Sequence, residues 1–551
     1  MLPTACSYNG MVVTPHRLAS QTGLNILRQG GNAVQAAIAA AATLCVVYPH
    51  MTGLGGDGFW LILPASAQKK QEDGHSGVVF SEPIFIDACG RSALAASRKR
   101  YVDRGFTSVP KRGPYAALTV AGAVSGWQAA LQIAAGWECG NRASLSMATL
   151  FADAVGYAEE GYPVSSSQSD MTAAMFSELA DQHGFARHFL SRGKTPPANS
   201  RLRLPVLAET FRRLAEHGLE DFYRGCLAEE LAADLCDAGS PLRLDDLLAH
   251  RAEILPPLTL RLTGTHLFNS PPPTQGIASL AILALVEMFC ERTHCDLSDE
   301  SIFIHVLVEA TKRAFALRDT FVADPEHMVR PAHDLLTREE LLHLAESISL
   351  HHAQPWPHAV PGGDTVWLGV MDREGNSVSY IQSIYHEFGS GVTLPRSGIV
   401  WQNRGLSFSF APGSANSLAP GKKPFHTLNP AMALLDDGRI LSYGTMGGEG
   451  QPQTQAAVFF RYVRLGFPLQ HAVGAPRWLL GRAWGEASAN LKVEDAFASV
   501  VIDKLNTMGH ITERVPSPSG MMGHAGALVR HPDGIMEGAF DPRSDGAVCC
   551  W

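Results

Sequence analysis

The sequence lacks a long hydrophobic run, a dense basic cluster and an excess of positive charge. Its longest nearly apolar run, residues 36–48, has 13 residues, whereas a helix that crosses a bilayer needs about 20. The formal net charge is −9, and binding to nucleic-acid phosphates requires concentrated lysine and arginine. We therefore expect neither a membrane nor a nucleic-acid partner.

The sequence also lacks regular cysteine spacing. Its ten cysteines include no C-x-x-C pair, which favours free thiols in a reducing compartment over a disulfide framework. The amino terminus shows no basic segment followed by an apolar one, as a signal peptide would, so the expected location is cytoplasmic. His351 and His352 have no carboxylate or cysteine cluster at ligand spacing, and the sequence predicts no metal and no organic cofactor.

The predicted secondary structure changes along the chain. Its 551 residues, 46% of them hydrophobic, are enough for two domains or one large composite. Leucine- and alanine-rich periodic segments predict mostly helices across residues 114–350, whereas short strands and glycine-rich loops follow residue 365. Two helices are predicted over residues 17–48, the second apolar almost all round and therefore deeply buried. Residues 91–105 predict another helix.

A glycine-rich stretch, GLGGDG at residues 53–58, satisfies the G-x-G-x-x-G pattern. A dinucleotide site requires a strand before these glycines and a helix after them, whereas here a helix precedes and a strand follows. A nucleotide site is therefore disfavoured. Two interpretations stay open: a turn that needs positive φ angles close to another segment, and a loop that lines an active site.

A hairpin in the second half of the chain carries the strongest signal. The sequence GGDTVWLGVMDREGNSVSYIQSIYHEFGSG spans residues 362–391 and places Thr365 at the start of an apolar strand, residues 366–371. A tight turn follows, and residues 377–383 return as a second strand. The segment before the hairpin, residues 351–363, has three prolines and two terminal glycines, which predicts a linker.

This hairpin and four further stretches resemble the gamma-glutamyltransferase (gamma-glutamyltranspeptidase) family of N-terminal-nucleophile hydrolases. The stretches are GGNAVQAAIAAAATLCVVYPHMTGLGGDGFWLI, TVAGAVSGW, GIVWQNRGLSFSFAPGSANSLAPGKKPFHTLNPA and YGTMGGEGQPQTQ. The resemblance implies an α+β fold, a four-layer αββα sandwich with a large helical portion in its N-terminal part. It also implies that the loop at residues 53–58 lines the active site.

The resemblance further implies that one precursor cuts itself between Asp364 and Thr365. The products would be a large chain, residues 1–364, and a small chain, residues 365–551. These two chains would form a heterodimer, and two heterodimers could associate further.

The chemistry of an N-terminal nucleophile explains why such a cut is needed. A threonine hydroxyl is a poor nucleophile until a base takes its proton, and an α-amine with a pKa of about 8 is partly neutral near pH 7. By resemblance, Thr365 is nucleophile and base, and Ser383 supports its hydroxyl. Gly447 and Gly448, at a predicted strand-to-helix junction, could direct two backbone N–H groups at an oxyanion. A plain tight turn is the alternative.

The sequence departs from the family pattern where gamma-glutamyl substrates are held. Cys89 replaces an arginine that holds the glutamyl α-carboxylate, with Arg91 two residues further on. Ser407 replaces an aspartate that holds the α-amine. The other substitutions are Tyr385 for an asparagine and His426–Thr427 for a pair of serines.

The loss of the aspartate at residue 407 and the presence of Arg404 change the charge expected in the substrate pocket from negative to positive. An ammonium group beside Arg404 would be repelled, whereas a compact carboxylate could accept two parallel hydrogen bonds; a structural ion pair is the alternative role. The substrate is therefore expected to be a small amide with a nearby carboxylate. The sequence is similar to the oxamate amidohydrolase branch of the family, which implies release of ammonia and oxalate in purine breakdown. The residues expected to contact substrate are Arg404, Tyr385, Asn403, Ser407, His426, Thr427 and Arg91.

Two other functions stay open. A glutathione hydrolase or gamma-glutamyltransferase would turn over gamma-glutamyl amides efficiently. A relative that does not cut itself would act as a binding protein and remain a single chain. A serine hydrolase is disfavoured, because the sequence contains no G-x-S-x-G motif.

Overall fold

Two seven-stranded sheets lie face to face in the computed structural model, which describes residues 2–70, 78–137, 145–356, 364–481, 488 and 490–551. The strands are β1 (Ala5–Ser7), β2 (Gly10–Thr14), β3 (Asp57–Leu63), β4 (Gln68–Lys70), β5 (Val78–Phe80), β6 (Ile84–Ala88), β7 (Tyr162–Pro163), β8 (Arg201–Leu202), β9 (Glu253–Leu255), β10 (Leu258–Leu262), β11 (Thr265–Asn269), β12 (Asp364–Asp372), β13 (Ser377–Tyr385), β14 (Ala431–Leu435), β15 (Ile440–Thr445), β16 (Trp478–Leu480), β17 (Leu491–Glu494), β18 (Thr512–Val515), β19 (Ala525–Arg530), β20 (Met536–Phe540) and β21 (Ala547–Cys550).

Both large sheets are antiparallel throughout. The first sheet has the order β21-β2-β12-β13-β3-β6-β9, and the second has the order β1-β20-β19-β15-β14-β11-β10. The remaining strands form smaller sheets of two or three strands. Each large sheet therefore contains strands from both halves of the chain.

α-Helices lie on the outer faces of the two large sheets and in the layers and connections around them. They are α1 (Arg17–Arg28), α2 (Ala33–Val47), α3 (Arg98–Val102), α4 (Ala123–Ala134), α5 (Met147–Glu160), α6 (Ser166–Ala174), α7 (Phe176–Leu179), α8 (Phe185–Phe189), α9 (Pro205–His217), α10 (Asp221–Arg224), α11 (Cys226–Ala238), α12 (Leu244–Ala249), α13 (Gly276–Thr293), α14 (Glu300–Phe321), α15 (Arg338–Glu346), α16 (Gly450–Phe459), α17 (Leu469–Gly474) and α18 (Ser499–Thr507). Helices α1, α2 and α4 pack on the first sheet, and α13 and α16 pack on the second. The predicted α+β, four-layer αββα sandwich with its helix-rich N-terminal part is confirmed.

Helix α2 is buried along its whole length, as its continuous apolar composition predicts. A capping box between Asn32 and Gln35 fixes its start by satisfying backbone N–H groups that have no partner inside the helix. Small alanine side chains let the helix lie close to the first sheet and to α5.

The β12–β13 hairpin lies in the middle of the first sheet, between β2 and β3. Along β12, Val366 and Leu368 belong to the core beneath the helices, whereas Trp367 and Met371 belong to the core between the two sheets. This alternation is that of a strand buried on both faces. Thr365 has the same phase as Trp367, which places it on the face towards the second sheet.

The helix predicted over residues 91–105 is wrong for its first half. Only Arg98–Val102 is helical, and the Ser97 side chain caps it. The carbonyls of Arg91 and Ser92, which a helix would pair with N–H groups four residues later, instead accept the N–H groups of Val120 and Gly421, at 3.0 Å each. A helix cannot include backbone groups that are already bonded elsewhere.

Part of the predicted linker, residues 357–363, lies outside the described residues. In the part of the chain that is described, no helix combines the length and the apolar composition that a membrane span requires. Nine cysteines in the same part carry free thiols.

The contact between Trp367 and Gly444 gives a test of how the sheets pack. A Cβ atom on Gly444 would lie 2.2 Å from the Trp367 ring, and the indole is held by a 3.0 Å hydrogen bond to Ser379 Oγ. We expect Gly444→Ala to lower the free energy of unfolding by about 1–3 kcal/mol, measured as a fall in melting temperature.

Gly156→Ala is the matched control for this substitution. Gly156 lies in α5, and a Cβ atom there would meet no atom within 4 Å. Its melting temperature should stay equal or rise, because alanine favours helix over glycine. Equal melting temperatures for Gly444→Ala and the unmodified protein would contradict the packing described.

Candidate active site

Thr365 lies at the start of β12 and is 1% exposed. Its Oγ1 has no hydrogen-bond partner among the described residues. The ladder pairs Asp364 with Tyr385 and Val366 with Gln382, so one residue of β12 faces two residues of β13. This bulge changes the local direction of the strand, as bulges beside active sites do. The threonine hydroxyl is therefore free for a further interaction at a distorted point of the ladder.

Ser383 lies in this bulge, and Tyr385 pairs with Asp364 at its edge. Ser383 Oγ accepts the N–H of Tyr385 at 2.7 Å. Tyr385 has φ of +78°, a left-handed conformation that is costly for a bulky residue and is found mostly at functional sites. Its ring lies under the guanidinium of Arg404, with Cζ 3.8 Å from the ring centre.

Arg404 is fully buried. Its Nη1 donates to Thr427 Oγ1 at 3.2 Å, whereas Nε and Nη2 have no partner among the described residues. Burial lowers the pKa of Arg404 to about 10, with Tyr385 and Asp57 opposing that effect, so the group is cationic at neutral pH. Buried charged donors without acceptors are costly, and an anion with two oxygens would satisfy them.

Asp57 and His426 lie beside Arg404. Asp57 Oδ1 accepts the N–H groups of Gly90 and Gly122 and the side-chain amide of Gln402, and a 3.1 Å hydrogen bond joins Oδ2 to His426 Nε2. Burial raises the pKa of Asp57 to about 7, although Gln402 and Arg404 act in the other direction. Burial, with Arg404 nearby, holds the pKa of His426 well below its usual range. His426 is therefore neutral.

Asp57, His426 and Cys89 have potential metal-ligand atoms within 4.8 Å of one another. Both oxygens of Asp57 already have hydrogen-bond partners. Arg404 is close enough to interact electrostatically with Asp57 and Cys89, so a second cation would be repelled. These three residues fit a polar support for the guanidinium better than a metal centre.

Gly447 and Gly448 form the entry turn to α16. Their φ angles are +117° and +52°, values that glycine adopts without strain, and Gly450 N donates to Gly447 O at 2.8 Å. In the described part of the chain, neither Gly447 N–H nor Gly448 N–H has an acceptor. The glycine pair is therefore a tight turn, and its two available N–H donors also fit the predicted oxyanion site.

Gln275 links the two sides of the site. Its Nε2 donates to Thr427 O and to Gly448 O, at 2.7 Å each, and its Oε1 accepts from Arg318 Nη1 at 2.9 Å. Arg318 also contacts Glu449 at 3.3 Å. Burial raises the pKa of Glu449 to about 7, with Arg318 acting against it. A continuous network thus fixes the glycine turn relative to the residue that binds Arg404.

Sequence reasoning did not identify Gln275, Arg318 or Glu449. They lie at or in α13, α14 and the turn before α16, far from Thr365 in the chain, and no motif marks them. Asp57 was missed as an individual residue, although its glycine loop was predicted to line the site. That loop is close, since a Cβ atom on Gly56 would lie 2.2 Å from Ser383 O.

Only some of the residues predicted to contact substrate line a common cavity. A cavity of about 860 Å³ is lined by Tyr385, Ser407, Thr427 and Glu449 together with residues of α3 and of the loops that follow it. Asn403 lies nearby, but its side chain accepts from His386 N and donates to Lys111 O. Arg404 and His426 are fully buried behind these residues and do not line the cavity, and neither does Arg91.

Arg91 has partners of its own on a partly exposed surface. Its Nη1 donates to Gly421 O at 3.1 Å, and its Nη2 pairs with Glu326 at 3.0 Å. The guanidinium beside position 89 is instead that of Arg404, which is close enough to Cys89 to interact electrostatically. Lys423 and Arg404, both from the second half of the chain, thus supply positive charge near residue 89.

Comparisons with known proteins agree across nearly the whole chain. A family model described as gamma-glutamyltranspeptidase matches residues 19–551. An oxamate amidohydrolase proenzyme of Klebsiella pneumoniae is 52% identical over 542 residues, and a glutathione hydrolase-like proenzyme of Bacillus subtilis is 40% identical over 540; each match covers 98% of both chains. The structure of cephalosporin acylase from Bacillus halodurans is similar with a TM-score of 0.86 at 30% identity, over 100% of this chain and 97% of that one.

The raised pKa of Asp57 predicts that the effect of Asp57→Asn on stability depends on pH. Between pH about 4 and 7 the folded protein binds a proton at Asp57 that the unfolded chain does not, so its stability falls as pH rises. Asparagine does not titrate. The melting temperature of the variant relative to the unmodified protein should therefore increase from pH 4.5 to 7 and then level off.

The largest slope expected is about 1.4 kcal/mol per pH unit. Asparagine can keep the contacts of Oδ1, and its Nδ2 can donate to His426 Nε2 as a protonated Oδ2 would. The substitution therefore preserves the hydrogen-bond pattern of the protonated carboxyl. A difference in melting temperature that does not change with pH would contradict the raised pKa.

Proposed function

The chain belongs to the gamma-glutamyltranspeptidase family and is an amidohydrolase made as a proenzyme, and from this premise we propose that its substrate is oxamate. Oxamate is a small amide with an adjacent carboxylate, and its hydrolysis gives oxalate and ammonia. The observation that carries the proposal is the buried Arg404 guanidinium, whose Nε and Nη2 lack partners among the described residues. A planar carboxylate matches such a pair of donors.

The proposed maturation is a cut between Asp364 and Thr365, giving chains 1–364 and 365–551. Strands β12 and β13 of the small chain lie between β2 and β3 of the large chain, and β1, β10 and β11 of the large chain complete the second sheet. This interleaving supports a heterodimer that stays together after the cut. Further association of two heterodimers stays a prediction.

The proposed reaction begins at the new N-terminus. The α-amine of Thr365 takes the proton of its own hydroxyl, and Oγ1 attacks the amide carbon. The N–H groups of Gly447 and Gly448 stabilise the negative oxygen of the tetrahedral intermediate, and Ser383 supports the nucleophile. The C–N bond then breaks, and ammonia leaves with the transferred proton. Water hydrolyses the resulting ester, which releases oxalate and restores the threonine.

The proposed substrate orientation places the carboxylate against Arg404. The Tyr385 ring lies against the guanidinium, with Cζ 3.8 Å from the ring centre, and Thr427 accepts a hydrogen bond from Arg404 Nη1. Ser407 and His426 border the same region, whereas Asn403 acts through the loop that it holds, and Arg91 has no role in binding. The α-ammonium of a gamma-glutamyl group would be repelled by Arg404.

The two rival functions make different predictions. A glutathione hydrolase requires an acidic partner for the substrate's α-ammonium, and Ser407 stands where the family pattern has it. A binding protein requires no free nucleophile, whereas Thr365 Oγ1 is buried without a partner in the described part of the chain. A cytoplasmic location and a place in purine breakdown stay predictions from the sequence.

Intact mass spectrometry tests the nucleophile. The unmodified protein of 59.2 kDa should give fragments of about 39 and 20 kDa, in proportion to 364 and 187 of its 551 residues, the smaller starting at Thr365. Thr365→Ala should remain one inactive chain, because it has no hydroxyl to attack the preceding carbonyl. Thr365→Ser keeps a hydroxyl and should still be cut.

Activity on two amides separates the proposed function from its rivals. The processed protein should release ammonia from oxamate and little glutamate from glutathione. Efficient release of glutamate would favour the glutathione hydrolase. An uncut chain that is inactive on both amides would leave only the binding protein.

A further inference from the structure

The cavity at the candidate site is much larger than oxamate requires. Its volume is about 860 Å³, within the range of about 300–1,000 Å³ that pockets for drug-sized ligands occupy. Oxamate has only a handful of non-hydrogen atoms. We propose that the outer part of this cavity binds an apolar substituent on the amide nitrogen, so that the enzyme hydrolyses N-substituted oxamates as well as oxamate. The inference rests on the proposed function.

The inner wall of the cavity is part of the site already described. Tyr385 stacks on Arg404 and pairs with Asp364 in the ladder. Thr427 accepts the hydrogen bond from Arg404, and Glu449 directly follows Gly448. All three line the cavity. With the carboxylate at Arg404 and the carbonyl oxygen at the glycine turn, the amide nitrogen is the remaining position from which a substituent can extend.

The outer part of the cavity has the chemistry of an apolar binding site. We call it the aromatic wall; it consists of Phe106, Phe408, Phe410 and Phe425. Phe106, Phe410 and Phe425 are partly exposed, and Val102 beside them is 47% exposed. Exposed apolar groups that line a concave surface are typical of ligand sites.

The aromatic wall is also held in place from behind. Phe106 and Phe410 both contact the ring of Tyr101, with ring centres 5.9 Å apart in each case. Arg98 Nε donates to Phe410 O at 3.0 Å. Aromatic rings fixed in this way bind other rings and alkyl groups with little loss of side-chain freedom.

The proposed reaction needs no component beyond water. Thr365 Oγ1 forms a bond to the amide carbon, the C–N bond breaks, and the threonine proton leaves with the amine as R–NH₂. Water then attacks the oxalyl ester, and oxalate leaves as the hydroxyl is restored. Oxamate is the case in which R is hydrogen.

The test uses the processed enzyme and N-(4-nitrophenyl)oxamate, with release of 4-nitroaniline followed by absorbance. We expect a kcat/KM at least equal to that for oxamate. Phe410→Ala should lower kcat/KM for the aryl substrate about tenfold more than for oxamate. Phe176→Ala removes a partly exposed phenylalanine in α7, outside the cavity, and should leave the ratio of the two values unchanged.

A series of N-alkyl oxamates tests the same inference without any substitution in the protein. KM should fall about fourfold for each added methylene until the cavity is filled. Turnover of oxamate with no turnover of the aryl or alkyl oxamates would overturn this inference and leave the proposed function standing. A protein that hydrolyses glutathione but none of the oxamates would overturn both.

Discussion

Arg404 keeps a guanidinium charge away from solvent, with Tyr385 beneath it and, among the described residues, one hydrogen bond to Thr427. Such a group is costly to bury unless something completes its hydrogen bonds. Two neighbouring residues support this charge. Asp57 is close enough to attract the guanidinium, and His426 is neutral and adds no further positive charge beside Arg404. In the proposed function, the carboxylate of the substrate completes these hydrogen bonds.

The β12–β13 hairpin connects this charge to Thr365, the proposed nucleophile. Thr365 starts one strand, and Tyr385, whose ring stacks on Arg404, ends the other. Because the hairpin lies inside a sheet whose neighbouring strands come from the first half of the chain, a cut before Thr365 would free an N-terminus without releasing the strand. Gln275, from the same half, then fixes Thr427 relative to the glycine turn.

Much of this architecture could be predicted from the sequence, because its signals are local. The apolar composition of α2, the hairpin and the glycine pair each depend on a short segment. The helix predicted over residues 91–105 failed because its first backbone groups bond to segments distant in the chain. Arg318, Gln275 and Glu449 meet only in the folded protein, and no spacing in the sequence marks their network. The replacement at Cys89 was visible, but its proximity to Arg404 depends on the fold.

The measurement that tests the account most directly compares oxamate with pyruvamide, in which a methyl ketone replaces the carboxylate and the amide is kept. If the charge of Arg404 selects the substrate, kcat/KM for oxamate should exceed that for pyruvamide about 10- to 100-fold, as a charge-assisted hydrogen bond implies. Arg404→Met should remove most of this preference. Equal values for the two amides in the unmodified enzyme would contradict the account, because the buried guanidinium would then have a structural role alone.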